Sequence, residues 1–303
     1  MPISIDRPHA ESASLAEFVE LFRDADPPAK DHEALAEQAR LLTRLYENRQ
    51  FIGDWLLNDL VNRCASQAGN LYSAQSMVMA RLTPNFFLRV NFWPSADDEV
   101  VKKTGNGLFS YQLPHDHNFN FLTVGYWGPG YKSDYFEYDF DSVAGYPGED
   151  VETTFVETRN LAQGELMLYR AHKDIHTQHA PTEMSITINV MDQSPVLASQ
   201  YIFDKDAQKI DKVVDNRSIP QFLNIAASML GENALERLLH ISQSHDDPAV
   251  RFHAMRAATR AKPDMTDPLG LFTRALNTND PTLRGWINAY LAMLERQAQK
   301  APA

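Results

Sequence analysis

Leu113-Pro114-His115-Asp116-His117-Asn118-Phe119-Asn120-Phe121 is the stretch whose reading decides the fold. Side chains on a strand alternate between its two faces, so a His-x-His pair puts both imidazoles on one side, aimed at one point. Phe119, Phe121 and Thr123 continue that face inward, while Asp116, Asn118 and Asn120 take the other. A second stretch answers the first. Residues Glu165-Leu166-Met167-Leu168-Tyr169 read as a strand, which enters the histidine-rich turn Arg170-Ala171-His172-Lys173-Asp174-Ile175-His176-Thr177-Gln178-His179. Ser185-Ile186-Thr187-Ile188-Asn189-Val190 follows as another strand, alternating polar and β-branched residues. A same-face pair joined about sixty residues later by a histidine from a neighbouring strand makes a facial three-histidine metal site. His172, His176 and His179 compete for the third place. A losing histidine would align a ligand or relay a proton, and Asp174 lies in the same turn, where a solvated residue is the plain expectation.

His115-Asp116-His117, the aromatic strand after it and the Gly128-Pro129-Gly130 turn, with the Gly164-Glu165-Leu166 strand opening and His176 beyond it, resemble the cupin superfamily. Within it they resemble the three-histidine thiol dioxygenases, of which cysteine dioxygenase is the best-known type. The resemblance covers roughly residues 80–205. It implies an α+β chain with a cupin double-stranded β-helix barrel. It also implies non-heme Fe(II) on His115, His117 and His176, and O2 chemistry on a small polar substrate of amino-acid or thiol-like kind. The glutamate that cupins often carry about four residues after the second histidine is replaced by Phe121 or Leu122, which favours three ligands over four. The Ser-His-Tyr series on the last strand of the thiol enzymes is Ser185, Thr187 and Asn189 here. Arg89 precedes His115 much as a substrate-carboxylate arginine precedes the histidine pair in thiol dioxygenases; the alternative pairs it with a carboxylate of the protein.

Neutral imidazoles suit Fe(II), Zn(II), Cu(II) and Ni(II) alike, so the ligands alone do not choose the metal. A facial triad leaves open positions for substrate and O2, and Phe119, Phe121, Tyr126 and Trp127 would line it and keep water away. The Gly-Pro-Gly turn is expected to close an antiparallel hairpin with Asp134-Tyr135-Phe136-Glu137-Tyr138-Asp139-Phe140. Burial favours Phe136, Tyr138 and Phe140 facing in. The opposite phase brings in Tyr135, Glu137 and Asp139, with Glu137 as a fourth ligand or base. Two other functions compete. A 2-oxoglutarate/Fe(II) hydroxylase expects His-x-Asp/Glu and an arginine about ten residues after the distal histidine; here the second slot is His117, and no arginine lies between Arg170 and Arg217. A non-catalytic metal- or ligand-sensing cupin would bind a protein partner instead.

Composition bounds the rest. A chain of 303 residues with 44% hydrophobic and 22% charged residues is an ordinary globular sequence with more than one structural unit. Its net charge of −12 excludes nucleic acid and anionic membrane as default partners. One cysteine, Cys64, permits no intramolecular disulfide and fits the cytoplasm; Met1 to His9 lack a signal-peptide pattern, and no apolar run is long enough to span a membrane.

Three segments follow from the periodicity: an N-terminal helical segment (1–70), the barrel with its metal site (71–217) and a helical unit (218–303). Residues 1–13 read as a loose tail. Ser14 and Asp31 cap helices, and the second helical run continues to about Cys64. Met77 to Leu82, Phe86 to Phe92, Thr153 to Glu157 and Ser199 to Phe203 read as strands, residues 94–107 as a polar loop, and the stretch through Arg217 as a charged loop. Asp247-Pro248-Ala249-Val250-Arg251 returns as Asp280-Pro281-Thr282-Leu283-Arg284, 33 residues on, and resembles HEAT-type helical repeats. The N-terminal helices are expected to pack on the barrel as a scaffold, with a lid or dimer face as the alternative, and the helical segments are where a homodimer or protein partner would dock.

Overall fold

The structure is a computed structural model and describes residues 2–63, 75–194, 199–214, 218–265 and 267–300, so Cys64 and Arg217 lie outside it. Short β-branched and aromatic runs, cut by Gly, Pro and Asp, form antiparallel sheets. The larger sheet holds β1 (Ile3–Ile5), β2 (Ser76–Arg81), β3 (Phe86–Trp93), β4 (Phe121–Trp127), β7 (Leu166–Tyr169) and β9 (Ser185–Asp192) in the order β1-β7-β4-β9-β3-β2. The smaller one holds β5 (Tyr131–Tyr138), β6 (Thr153–Leu161) and β8 (Asp174–Gln178), in the order β6-β5-β8.

Register across the larger sheet separates two kinds of row. Leu88, Val190 and Leu122 align, as do Val90, Ile188 and Val124. These rows pack under the N-terminal helices α1 (Leu15–Ala25), α2 (His32–Glu37), α3 (Ala39–Glu47) and α4 (Phe51–Val61), whose Phe18, Phe22, Leu35, Leu42 and Leu45 share their core. The intervening rows are Phe87-Met191-Phe121 and Arg89-Asn189-Thr123. They face the smaller sheet, where Phe87, Phe121, Met167, Tyr169 and Met191 join Tyr131, Tyr135 and Leu161 in a second core. Helix starts follow the sequence signals: Ser14 and Glu17 form a full capping box, and Asp31 accepts from the N–H groups of Glu33 and Ala34.

Four local expectations are corrected. Residues 3–5 are not a loose tail but the edge strand β1, paired with β7. The polar loop contains a short helix, α5 (Glu99–Thr104). The charged loop before Arg217 contains β11 (Ile210–Val214), paired with β10 (Gln200–Phe203). The Gly-Pro-Gly turn closes no hairpin: β4 pairs with β7 and β9, whereas β5 pairs with β6 and β8, so the turn carries the chain from one sheet to the other.

The compact units also divide differently from the three sequence segments. One takes residues 1–140, 152–198 and 205–207, because the N-terminal helices share a core with the larger sheet. The other takes residues 141–151, 199–204 and 208–303, including the β10–β11 hairpin and helices α6 (Ile219–Leu230), α7 (Leu235–Ser244), α8 (Pro248–Ala261), α9 (Pro268–Ala275) and α10 (Pro281–Lys300). Asp247 caps α8, and Asp280 does the same for α10, accepting from Leu283 N–H at 3.0 Å while its other oxygen pairs with Arg251. A third Asp-Pro start, Asp267 before α9, falls between them and accepts from Gly270 N–H at 2.7 Å. Among the described residues no helix is long and apolar enough to cross a membrane.

The sheet-to-sheet crossing depends on a glycine. Gly130 has φ +79°, and a Cβ there would sit 2.1 Å from the Leu161 carbonyl oxygen. Gly148 has φ +93° with nothing near its missing Cβ. Gly148→Ala is expected to cost about 1–2 kcal/mol from backbone strain alone. Gly130→Ala adds a backbone clash and should lower the melting temperature much further. Equal melting temperatures for the two variants would contradict this account of the turn.

Candidate metal centre

His115 does not lie in a regular strand. Pro114 offers no N–H to a ladder, and β4 begins only at Phe121. Instead His115 forms an isolated antiparallel bridge with His176 of β8: each N–H donates to the other's carbonyl, at 3.1 and 3.0 Å. Two residues on, the His117 carbonyl accepts the backbone N–H of His172 at 2.8 Å. The same-face expectation for the pair therefore holds without the strand, and its third member is His176. Nε2 of His176 lies 3.0 Å from Nε2 of His117 and 3.2 Å from Nε2 of His115, and the ligand atoms of all three fall within 4.8 Å of one another.

The protonation states fit a cation. Nδ1–H of His115 donates to the Leu113 carbonyl at 2.8 Å, which leaves Nε2 as the lone-pair atom. Burial lowers the pKa of His115, opposed by that hydrogen bond. Burial, then the neighbouring His115 and His176 and the Arg89 charge, hold His117 well below the usual histidine value. Burial and His115 do the same for His176. Neutral imidazole is the metal-binding form. Nitrogen lone pairs brought this close repel unless a proton or a cation lies among them, so the donor set fits a divalent metal. Nδ1 of His117 and of His176 has no hydrogen-bond partner among the described residues. Packing orients those rings instead. His117 lies between Phe119 and Phe121, with ring centroids 4.8 and 5.0 Å away, and His176 lies against Tyr169 at 4.9 Å.

The other two histidines of the turn are occupied elsewhere. Nε2 of His179 is 2.7 Å from Asp134, and its Nδ1 meets the Gln112 amide at 3.0 Å. The His172 ring packs on Phe140 at 4.1 Å, with Nδ1 3.7 Å from the fully buried Asp116 carboxylate, which also accepts from Tyr138 O–H at 2.6 Å. Asp174 is not a solvated turn residue. It is buried and bound by Arg170 through both carboxylate oxygens, at 2.6 and 3.1 Å.

Of the remaining expected site residues, Arg89 stands in the inward row with Asn189 and Thr123, close enough for its charge to act on His117 and Tyr131. Glu137 is not beside the three histidines; Arg170 holds it by an ion pair of 2.7 Å. Tyr135 does face in, contrary to the burial default. A register shift between Tyr135 and Phe136 buries Tyr131, Ser133 and Tyr135 before the shift and Tyr138 after it. Tyr126 and Trp127 are not part of the lining. Tyr126 has the opposite parity to Phe121 and packs under the helices, giving its O–H to the Asn48 carbonyl, and Trp127 is 58% exposed.

Two tyrosines take their place. Tyr169 stacks on Phe121 with centroids 4.3 Å apart, and its hydroxyl is 2.8 Å from that of Tyr135. Tyr131 is buried beside them. Burial raises all three hydroxyl pKa values, that of Tyr135 to about 12, so each keeps its proton at neutral pH. Sequence parity gave no warning of Tyr169, because all four residues of β7 are buried and the strand has no polar face to set its phase.

No protein-family model matches the chain, and no curated protein does. Among solved structures, a salicylate 1,2-dioxygenase from Pseudaminobacter salicylatoxidans is similar with a TM-score of 0.26 and 6% identity, over 46% of this chain and 33% of its own. The DMSP lyase DddQ from Ruegeria pomeroyi DSS-3 is similar with a TM-score of 0.25 and 9% identity, over 66% of this chain and 81% of its own. The chain thus spans about a third of the length of the dioxygenase it matches. At these scores the likeness carries no weight for fold or chemistry, which rest on strand order and histidine geometry.

The lowered histidine pKa values set a pH dependence for the metal-free protein. Above about pH 6.5 these side chains are neutral in both folded and unfolded chains and contribute no slope. Below it the unfolded chain binds protons that the folded one refuses, so stability should fall as pH drops from 6.5 towards 5. His176→Gln removes one such group and should flatten the fall. Melting curves at half-unit pH steps on both proteins check this, and parallel slopes would contradict it.

Proposed function

We propose that this chain is a metal-dependent enzyme of the cupin type, with a non-heme Fe(II) held by His115, His117 and His176, acting with O2 on a small polar substrate of amino-acid or thiol-like kind. The convergence of three neutral Nε2 atoms on one buried point is the observation that carries this reading. Bound iron would supply redox chemistry with O2 and open coordination positions for a substrate. The protein's part is positioning and exclusion. Arg89, in the inward row, offers a planar pair of donors suited to a substrate carboxylate. Tyr131, Tyr135 and Tyr169 offer hydroxyl protons that burial prevents from leaving. Phe119, Phe121 and Tyr169 shield the histidines from bulk water.

Among the described residues no carboxylate joins the histidine cluster, which counts against the 2-oxoglutarate hydroxylase with its His-x-Asp/Glu ligands. In the same proposal the helices after residue 218 form a HEAT-like surface for a protein partner or a second copy, on the strength of their recurring Asp-Pro starts. A cytoplasmic setting accords with the single cysteine.

Metal analysis and O2 consumption test this reading. Iron-loaded protein should consume O2 with at least one member of an amino-acid and thiol panel, and His115→Ala and His117→Ala should each lose most bound iron while keeping the fold. Full iron occupancy in both variants would remove the site. Arg89→Lys keeps the charge but loses the planar fork, so it should raise KM about tenfold and leave metal content unchanged. A lowered melting temperature with unchanged KM would make Arg89 a structural ion instead.

A further inference from the structure

Behind the His-x-His segment lies a cavity of about 280 Å³ that the metal reading does not use. Phe119 belongs to both places: its ring packs on His117, and it also lines this cavity. The other walls come from the start of α2 and the chain before it, from the turn that leads into β8, and from the end of β9. They include Lys30, Arg170, His172, Lys173 and a single carboxylate, Asp192. Two lysines with unpaired ammonium groups on one cavity stand out on a chain of net charge −12.

The two lysine charges have no ion-pair partner among the described residues. Asp192 is already engaged, accepting from the Lys30 backbone N–H at 2.7 Å and from Ser194 N–H at 2.9 Å. Arg170 is neutralised by Asp174 and Glu137. His172 is held at φ +56°, a backbone conformation uncommon for a residue with a Cβ. Both of its ring nitrogens are shielded from water without a hydrogen-bond partner among the described residues; Nδ1 faces the Asp116 carboxylate at 3.7 Å, which leaves Nε2 for a ligand. Native proteins rarely leave buried donors unmet, and ligand-facing sites are where they do. Phe119 and Ala171 give an apolar patch beside His32, Asn118 and Asn120.

We infer that this cavity binds a small organic carboxylate, whose anionic end sits between Lys30, Lys173 and the His172 ring and whose apolar end lies against Phe119. The volume is close to the lower end of small-ligand pockets, about 300 Å³, and fits a compact anion better than a nucleotide or a peptide. The inference stands on the cavity residues alone, so it does not fall if the three histidines hold no iron.

Isothermal titration of the full chain tests it, with propionate, benzoate and inorganic phosphate as probes and ionic strength held constant with sodium chloride. A saturable carboxylate site of one equivalent is expected, with benzoate tighter than propionate. In Lys30→Gln/Lys173→Gln the affinity should fall about tenfold or more, as loss of charge-assisted hydrogen bonds implies, with an unchanged circular dichroism spectrum and melting temperature. His176→Gln should bind the carboxylate as the unmodified protein does, which separates this site from the metal centre. Absence of saturable binding, equal binding by the double variant, or phosphate binding tighter than both carboxylates would overturn the assignment. Loss of binding in His176→Gln with full retention in the double variant would move the anion to the metal centre and overturn it equally.

Discussion

The reciprocal backbone pair between His115 and His176 is the constraint on which the rest of the site depends. Two residues that exchange both N–H···O=C bonds lie opposite each other in an antiparallel pair, with side chains on the same side of the ladder. That geometry puts two imidazoles 3.2 Å apart at Nε2, and the next same-face residue, His117, brings the third to 3.0 Å. The pair also fastens two parts of the chain that local structure would not hold together. His115 leads into β4 of the larger sheet, and β8 belongs to the smaller one. The loop closed between them contains β4, β5, β6 and β7, and closing a loop that long costs entropy before any contact repays it. The repayment comes from the inward rows of both sheets, which bury Phe87, Phe121, Met167, Tyr169 and Met191 against Tyr131 and Tyr135.

The N-terminal helices follow from the same arrangement. A sheet whose inward face builds a polar and aromatic site still has an outward face, and here that face is Leu88, Val90, Leu122, Val124, Ile188 and Val190. Such a surface left in water would be a large apolar patch, and helices α1 to α4 cover it. The larger sheet is therefore buried on both sides, although it is antiparallel and could have kept one wet face. The helices thus contribute no residue to the histidine cluster, and the site still requires them, because the sheet that positions Phe121 and Arg89 has its hydrophobic backing there.

The parts of this architecture legible in the sequence are those set by local chemistry. The His-x-His spacing placed two histidines on one side, and the Asp and Ser caps located α1, α2, α8 and α10. Where parity was unambiguous, as at Phe119 and Phe121, the assignment to the histidine face followed. What stayed hidden was set by tertiary partners. A register shift at Tyr135 changed which residues of β5 face in, and no residue type announces a bulge of that kind. Gly128-Pro129-Gly130 has hairpin composition, but Gly130 is needed because the Leu161 carbonyl approaches it, and that leads the chain into the other sheet. His172, His176 and His179 are equivalent by type. Only the backbone bridge to His115 and the partners Asp116 and Asp134 distinguish them.

Asp116 joins the two halves of this reading. It sits between the two early histidines in sequence, is wholly buried, and accepts from Tyr138 O–H at 2.6 Å with the His172 ring 3.7 Å away. A carboxylate taken out of water is costly unless hydrogen bonds and nearby positive charge offset the loss of hydration. The Tyr138 hydroxyl supplies part of that. In the proposed reading a divalent cation on His115, His117 and His176 would lie on one face of the segment, and the cavity with Lys30 and Lys173 lies on the other. The alternation of a short extended segment thus puts the two histidines on one side and the buried Asp116 on the other. In this account the middle residue of His-Asp-His is as much part of the site's electrostatics as the two histidines that flank it.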